Sequence, residues 1–340
     1  MIKKIGNKGL LLILFLLLAA FCIFRYISNK RGENTFQTAI IPKIDTNKLN
    51  GMVIFPKMMN TADKRPMAEK LLPFIFTRKG KDWYISQGDV RSRTEPRAVN
   101  YMLKQMESIS PDRLGTNDPK DWKQYNVNDS MGTRVVFLYD KDTVMDVIVG
   151  RFSYIPQQKQ AISYVRISGQ KEVYAVDGFL SMNIAEEFDN WRDKKIMPSD
   201  YPSWTKLTFT YPADSGFVLS KDSNEVWTLA DGTKPDDATT VNNIKEINNQ
   251  NYGGFINKFD TNGKQALYTL RVEGSDFKPV LLKAYPADTL NKYAITSTLN
   301  PGSYFSGNKN GLFAKIFRSK SSFFKTAVKS ASAPAKKGKK

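Results

Sequence analysis

The side chains available for chemistry are acids, lysines, arginines and tyrosines, because the 340-residue chain contains no histidine and a single cysteine, Cys22. Ser-His-Asp and Cys-His systems and the common zinc sites depend on imidazole, so those classes are excluded. Asp140, Asp142 and Asp146 lie close together, as metal ligands do. A calcium loop, however, needs evenly spaced ligands around a central glycine and a closing glutamate, and the group reads instead as a solvated turn. Glu186, Glu187 and Asp189 lead and Arg192, Lys194 and Lys195 trail, with Asp193 among them. That order suits the dipole of a helix end. Arg166 is the polar strand residue to watch, read as a surface ion pair with a ligand clamp as the alternative; Trp83 and Trp227 are candidate binding residues. No glycine-rich phosphate loop is present, Gly253-Gly254 reads as a helix C-cap, and the sequence predicts no catalytic residue, metal site or cofactor.

The elements that would position these residues begin with an apolar run from Gly9 to Phe24, flanked by Lys3, Lys4 and Lys8 on one side and Arg25 on the other. Sixteen helical residues span about 24 Å, short of a bilayer core of about 30 Å. Tyr26 and Ile27 extend the run while Arg25 snorkels. Residues 9–27 are therefore read as a transmembrane anchor behind a basic segment, 1–8, with a cleaved signal peptide as the alternative. Cys22 lies inside this run, so no internal disulfide can form.

The net charge of +18 belongs to the chain ends. Residues 1–31 hold six Lys/Arg and residues 315–340 hold nine, and neither segment has an acid; the remainder is nearly balanced, with thirty-six bases against all 33 acids. A nearly neutral middle argues against a nucleic-acid groove on the folded part. The Lys- and Ser-rich segment 315–340 reads as a disordered tail. Its Lys336, Lys337, Lys339 and Lys340, like Lys3, Lys4 and Lys8, are candidates for contact with an anionic lipid or polymer surface, with Phe317, Phe323 and Phe324 available to insert.

Between the ends the patterning is that of strands. Residues 28–48 are polar and aperiodic, a tether. Strand runs follow at 49–55, 74–77 and 82–86, the last two joined by a Lys-Gly turn as a hairpin. Thr94 is a candidate N-cap for an amphipathic helix with Val99, Met102, Leu103 and Met106 at i, i+3, i+4 and i+7. A polar loop then leads to strand pairs at 133–139 with 144–150 and 162–167 with 173–176, and to a helical segment from Gly178 to Trp191. The pattern begins again at Trp204, with strands at 204–210 and 217–220, Trp227 placed as Trp83 was, a helix at 237–248, and strand pairs near 267–284 and 293–306. The fold class read from this is α+β and β-rich: a tandem repeat of two antiparallel-sheet units, 49–200 and 201–314, each with a packed helix, after an N-terminal transmembrane helix.

The hairpin KDWYIS, the helix RAVNYMLKQMESI, the segment QYNVNDSMGTRVVFLY, the run DVIVG and the stretch AISYVRISGQKEVYAVDGFLSMN with WRDKKIM resemble the bacterial domain-of-unknown-function 4340 family. The resemblance is close over residues 45–200 and weaker over 201–315. It departs from the family pattern after Tyr125-Asn126-Val127, where no proline follows. It implies one N-terminal membrane segment and an exported β-rich region, in some cases beside ABC-type transporters, and it brings no activity or catalytic residue. The expectation is a single-pass inner-membrane protein with its domain in the periplasm, a non-catalytic binding or scaffold protein with an envelope protein as partner. The alternative is an enzyme acting on envelope polymers through paired carboxylates. Basic residues on both sides of the apolar run bias orientation only weakly. A C-terminal fusion to a reporter that is active only outside the cytoplasm is expected to be active; activity from a cytoplasm-only reporter instead would reverse the assigned orientation.

Overall fold

The computed structural model describes residues 44–57, 72–198, 200–249 and 254–325. The expected anchor, most of the tether, the flanking Lys3, Lys4 and Lys8, and Lys336, Lys337, Lys339 and Lys340 lie outside these residues. Among the described residues no helix is long and apolar enough to cross a membrane. The chain forms two compact units, one from the part up to Arg78 together with Asn100–Glu186, the other from Lys79–Val99 together with Glu187 onward. The division therefore falls inside a hairpin and a helix as well as near residue 187, rather than at 200/201 alone.

The first unit carries β1 (Gly51–Phe55), β2 (Phe74–Lys79), β5 (Pro111–Thr116), β6 (Thr133–Tyr139), β7 (Asp142–Ile155), β8 (Gln160–Ile167) and β9 (Val173–Asp177). They lie in the order β2-β1-β6-β7-β8-β9-β5, with antiparallel pairing from β2 through to β5. Alternation sets the faces: Phe74 and Phe76 point inward on β2 while Ile75 and Thr77 point out, the period-2 pattern of a half-buried strand. β8 is buried at six successive positions, so both of its faces are covered. One face packs against Val127, Trp122 and Tyr125, from the short helix α2 (Trp122–Tyr125) and the turn after it. The helix α3 (Leu180–Ile184) packs on β7 and β8.

The second unit holds the hairpin β3 (Asp82–Gln87) and β4 (Val90–Arg93) and a sheet of β10 (Trp204–Thr210), β11 (Phe217–Lys221), β12 (Trp227–Leu229), β13 (Tyr268–Gly274), β14 (Val280–Pro286), β15 (Tyr293–Ser297) and β16 (Phe305–Ser306). Its order is β12-β11-β10-β13-β14-β15-β16. In each unit the second strand flanks the first, the chain crosses to the first strand's other side, and three further strands meander outward. A long helix precedes that crossing both times: α1 (Pro96–Glu107) and α4 (Asp237–Asn248). The α1 stripe Val99, Met102, Leu103 and Met106 is buried and Tyr101 on the other side is exposed.

Several local expectations change. Thr94 does not serve as the predicted cap: its hydroxyl donates to the Trp83 carbonyl, and the first helical turn closes from the Val99 N–H to the Glu95 carbonyl at 3.3 Å. The Gly178–Trp191 segment is not one helix but α3 followed by a 3-10 turn at Phe188–Asn190, and Phe179 faces solvent. Two strands escaped the reading, β4 and β5, because VRSR and PDRLGT lack apolar alternation. Helix α4 ends at Asn249, whose N–H bonds to the Lys245 carbonyl, not at Gly253-Gly254. The end of the tether is docked, with Ile44 buried and the Tyr139 hydroxyl donated to by the Asp45 N–H at 2.7 Å.

The largest correction concerns residues 315–325. They are an ordered part of the second unit's core. Ile316, Phe317 and Phe323 are buried with Phe209, Phe217, Ile244 and Ile247, after a fifth helix α5 (Leu312–Ile316). Phe323 sits edge-on to Phe217 at 5.7 Å and near Phe209 at 6.1 Å, so it has no freedom to enter a bilayer. Polar bonds pin the same stretch: the Asp236 N–H donates to the Phe323 carbonyl at 3.1 Å, the Asn243 amide to the Ser322 carbonyl at 2.8 Å, and the Tyr211 hydroxyl to the Arg318 carbonyl at 2.7 Å. Lys320 meets Asp231 at 2.5 Å and Arg318 meets Glu246; the bonds from Lys320 and Thr233 hold the Asp231 carboxyl well below the usual range. Burial of the aromatic rings outweighs the local low complexity. Phe323→Ala is expected to destabilise the protein by about 3–5 kcal/mol, and Leu290→Ala, at an exposed position, by less than about 0.5 kcal/mol; urea denaturation of both checks the ranking.

Candidate functional site

The site begins with backbone pairing in the second unit. Thr94 and Arg192 form an antiparallel bridge, the Asp193 N–H donates to the Arg93 carbonyl at 2.8 Å, and the Glu95 N–H donates to the Trp191 carbonyl at 2.8 Å. Residues 191–193 thus act as a short strand along the outer edge of β4, and neighbouring side chains must point to opposite faces. Asp193 turns one way. Its carboxylate accepts the Arg93 Nε–H at 2.9 Å and Nη2–H at 2.5 Å, and its carbonyl accepts the Asn300 amide at 2.6 Å.

Arg192 turns the other way and is 1% exposed. Its guanidinium lies 3.6 Å from the Phe255 ring centroid and 5.4 Å from that of Phe188. Nη1 donates to Asn257 Oδ1 at 2.7 Å and to Asp189 Oδ1 at 3.0 Å, while Nε has no hydrogen-bond partner among the described residues. Burial pulls the Arg192 pKa below its ordinary value and Asp189 offsets part of that shift, the balance expected of a desolvated cation with one carboxylate beside it.

Asp189 and Phe255 form one side of an open cavity of about 500 Å³, a volume in the range of small-molecule sites. Leu290, Asn291, Ser306, Asn308 and Lys309, with the backbone of Gly254, complete the lining. The turn before β15 supplies Leu290 and Asn291, held because Asp288 accepts both the Asn291 N–H at 2.7 Å and its amide at 3.0 Å; these bonds lower the Asp288 pKa. The stretch after β16 supplies Asn308 and Lys309, with the Asn308 amide bonded to the Leu290 carbonyl at 2.9 Å. The Ser306 N–H donates to the Gly254 carbonyl at 2.7 Å, covering the β16 edge. Among the lining residues Asp189 is the single carboxylate, and one of its oxygens is engaged by Arg192. Paired-carboxylate hydrolysis needs a second acid across the substrate, which the lining does not supply. Among the described residues no group of three or more His, Cys, Asp or Glu is placed to hold a metal.

The residues singled out by sequence do not assemble here. Arg166 belongs to the first unit and is not a surface ion pair: it is 3% exposed, stacked 3.8 Å from the Trp122 ring centroid, with Nε donating to the Val127 carbonyl at 3.0 Å and Nη1 to the Gln170 carbonyl at 3.2 Å. Asp129 lies 3.5 Å away. Burial lowers its pKa, opposed by Asp129 and Asp146. Its donors hold the turn after α2 and the β8–β9 turn closed. Trp83 and Trp227 are buried core residues, so neither indole offers a face to a partner. Asp146 is committed to Arg134 through two bonds of 2.8 and 2.5 Å. The lining residues Phe255, Asn291, Asn308 and Lys309 went unremarked because they lie on separate turns. The one usable signal was the charged stretch around Asp189 and Arg192, which reads as a helix end until its pairing with β4 is seen.

No curated protein and no solved structure matches this chain. The family model described as "Domain of unknown function (DUF4340)" matches residues 84–271, a span that takes in α1, both helical connections and most of the first sheet, and extends to β13. With more than half of its length matched, the chain belongs to the DUF4340 family.

Proposed function

We propose that this protein is a non-catalytic binding or scaffold component of the bacterial cell envelope, anchored in the inner membrane by residues 9–27 with its two β-rich units in the periplasm. The apolar run flanked by basic residues supports the anchor, and the cavity of the second unit carries the binding role. That cavity offers an apolar wall from Phe255 and Leu290 and polar groups from Asn291, Asn308 and Lys309, a mixture suited to recognition. Its single carboxylate, tied to a buried arginine, favours binding over carboxylate hydrolysis. Leu290 at the rim is 78% exposed, the kind of apolar side chain that a partner covers. An envelope protein is the partner this reading assigns.

We further propose that the two units arose by tandem duplication. Their matching strand orders, with a long helix ahead of the same crossing, support that origin, and short meanders with a shared order are the signature of a repeated supersecondary unit.

A photo-crosslinking residue placed at Leu290 in the native host is expected to capture a defined envelope protein, and capture should fall when Lys309→Glu is added. The same product from a probe at the exposed Tyr154 of the first unit, or capture unaffected by Lys309→Glu, would remove the cavity from the binding role. Separately, deletion of residues 2–27 is expected to move the protein from carbonate-washed membranes to the soluble fraction, and retention in the membrane would refute the anchor.

A further inference from the structure

Arg151 of the first unit occupies the irregularity in β7 where its register against β8 shifts, between Val149 and Phe152. Gly150 beside it makes the local packing feasible: a Cβ there would collide with the Tyr125 carbonyl oxygen and the Val127 side chain. The absence of a side chain lets the segment carrying Tyr125 close directly on the strand. The Arg151 guanidinium then lies beside two rings that pack on each other, its Cζ 5.5 Å from the Tyr125 centroid and 5.2 Å from that of Tyr164, with the ring centroids 4.7 Å apart.

A guanidinium carries five N–H donors in its plane, and the two ring contacts supply them with no carbonyl or carboxylate oxygen. Arg151 Nε is buried with no acceptor, and among the described residues the guanidinium has neither a hydrogen bond nor an ion pair. The half-buried Arg78 and Arg93 are served, Arg78 by the Asn47 carbonyl and Arg93 by Asp193, and the more deeply buried Arg166 and Arg192 each have a carboxylate beside them, Asp129 and Asp189. Withdrawing a cation from water without a partner is costly. The half-buried side chain still reaches the surface, so an acceptor from outside the chain can meet it.

We propose that Arg151 is an oxyanion-binding residue, which receives a carboxylate or phosphate group of a ligand on the edge of its guanidinium that the packed pair Tyr125 and Tyr164 leaves uncovered. Planar, two-point recognition of such groups is the interaction for which a fixed guanidinium is best shaped. This site is independent of the second-unit cavity.

The test uses the full-length protein in non-ionic detergent, labelled with nitrogen-15, and follows the arginine Nε–Hε resonances; that of Arg151 is identified by its absence in Arg151→Lys. Inorganic phosphate and acetate are titrated separately at constant ionic strength. The Arg151 resonance is expected to shift and saturate with at least one of them, while that of Arg134, already paired with Asp146, stays in place. Saturation by phosphate alone assigns a phosphate ligand, and saturation by acetate assigns a carboxylate. Calorimetry on Arg151→Lys should show affinity weaker by about tenfold, with circular dichroism confirming that the variant is folded. An Arg151 resonance unmoved by both anions, or one that moves no more than that of Arg134, overturns the proposal.

Discussion

The Arg93–Asp193 ion pair is the constraint from which the second unit takes its form. The Asp193 side chain is 3% exposed, and its carboxylate accepts two short bonds from a guanidinium and a third, at 2.9 Å, from the backbone N–H of Lys195. Removing one partner of such a pair leaves the other charged and dry, which costs far more than the pair itself contributes. The pair also joins distant parts of the chain. The β3–β4 hairpin comes about a hundred positions before residues 191–193, and the Asp193 pairing and the Thr94–Arg192 bridge tie the two together, while the bond from Asn300 to the Asp193 carbonyl adds the turn after β15. The Ser92 and Ser303 hydroxyls, 3.0 Å apart and buried, add a further link.

That constraint reaches the cavity through alternation. Once residues 191–193 lie extended along β4, Asp193 and Arg192 must face opposite ways, so the bond that secures the hairpin also directs Arg192 under Phe255. Arg192 then holds Asp189 and Asn257, and Asp189 becomes a neutralised rim rather than a free acid. The same geometry closes the β4 edge, which would otherwise present unpaired donors and acceptors for aggregation.

The arginines of the two units illustrate how one residue type is put to different uses by its surroundings. Arg166 staples the turn after α2 through the Val127 carbonyl. Arg192 organises a cavity wall. Arg151, at the irregularity in β7, has two packed rings beside it and, among the described residues, no acceptor for its donors. None of these distinctions is visible in composition, because each depends on which carbonyl or carboxylate is brought within about 3 Å.

Much of the architecture could be read from the chain itself. The α4 helix at 237–248, the hairpin turn at Gly80 with φ +61°, the α1 stripe and most strands follow from local periodicity and from residues that tolerate the backbone required, since both act over a few neighbours. The absence of histidine likewise determined which chemistries were closed. Tertiary structure alone decided the rest. The polar strands β4 and β5 exist because neighbouring backbone pairs with them; residues 315–325 are ordered because their aromatic rings fill a core built from β10, β11 and α4; and Asp189, Phe255, Asn291 and Lys309 share a cavity because four separate turns meet. Those outcomes rest on contacts between residues far apart in the chain, and such contacts leave no periodic mark in the amino-acid order.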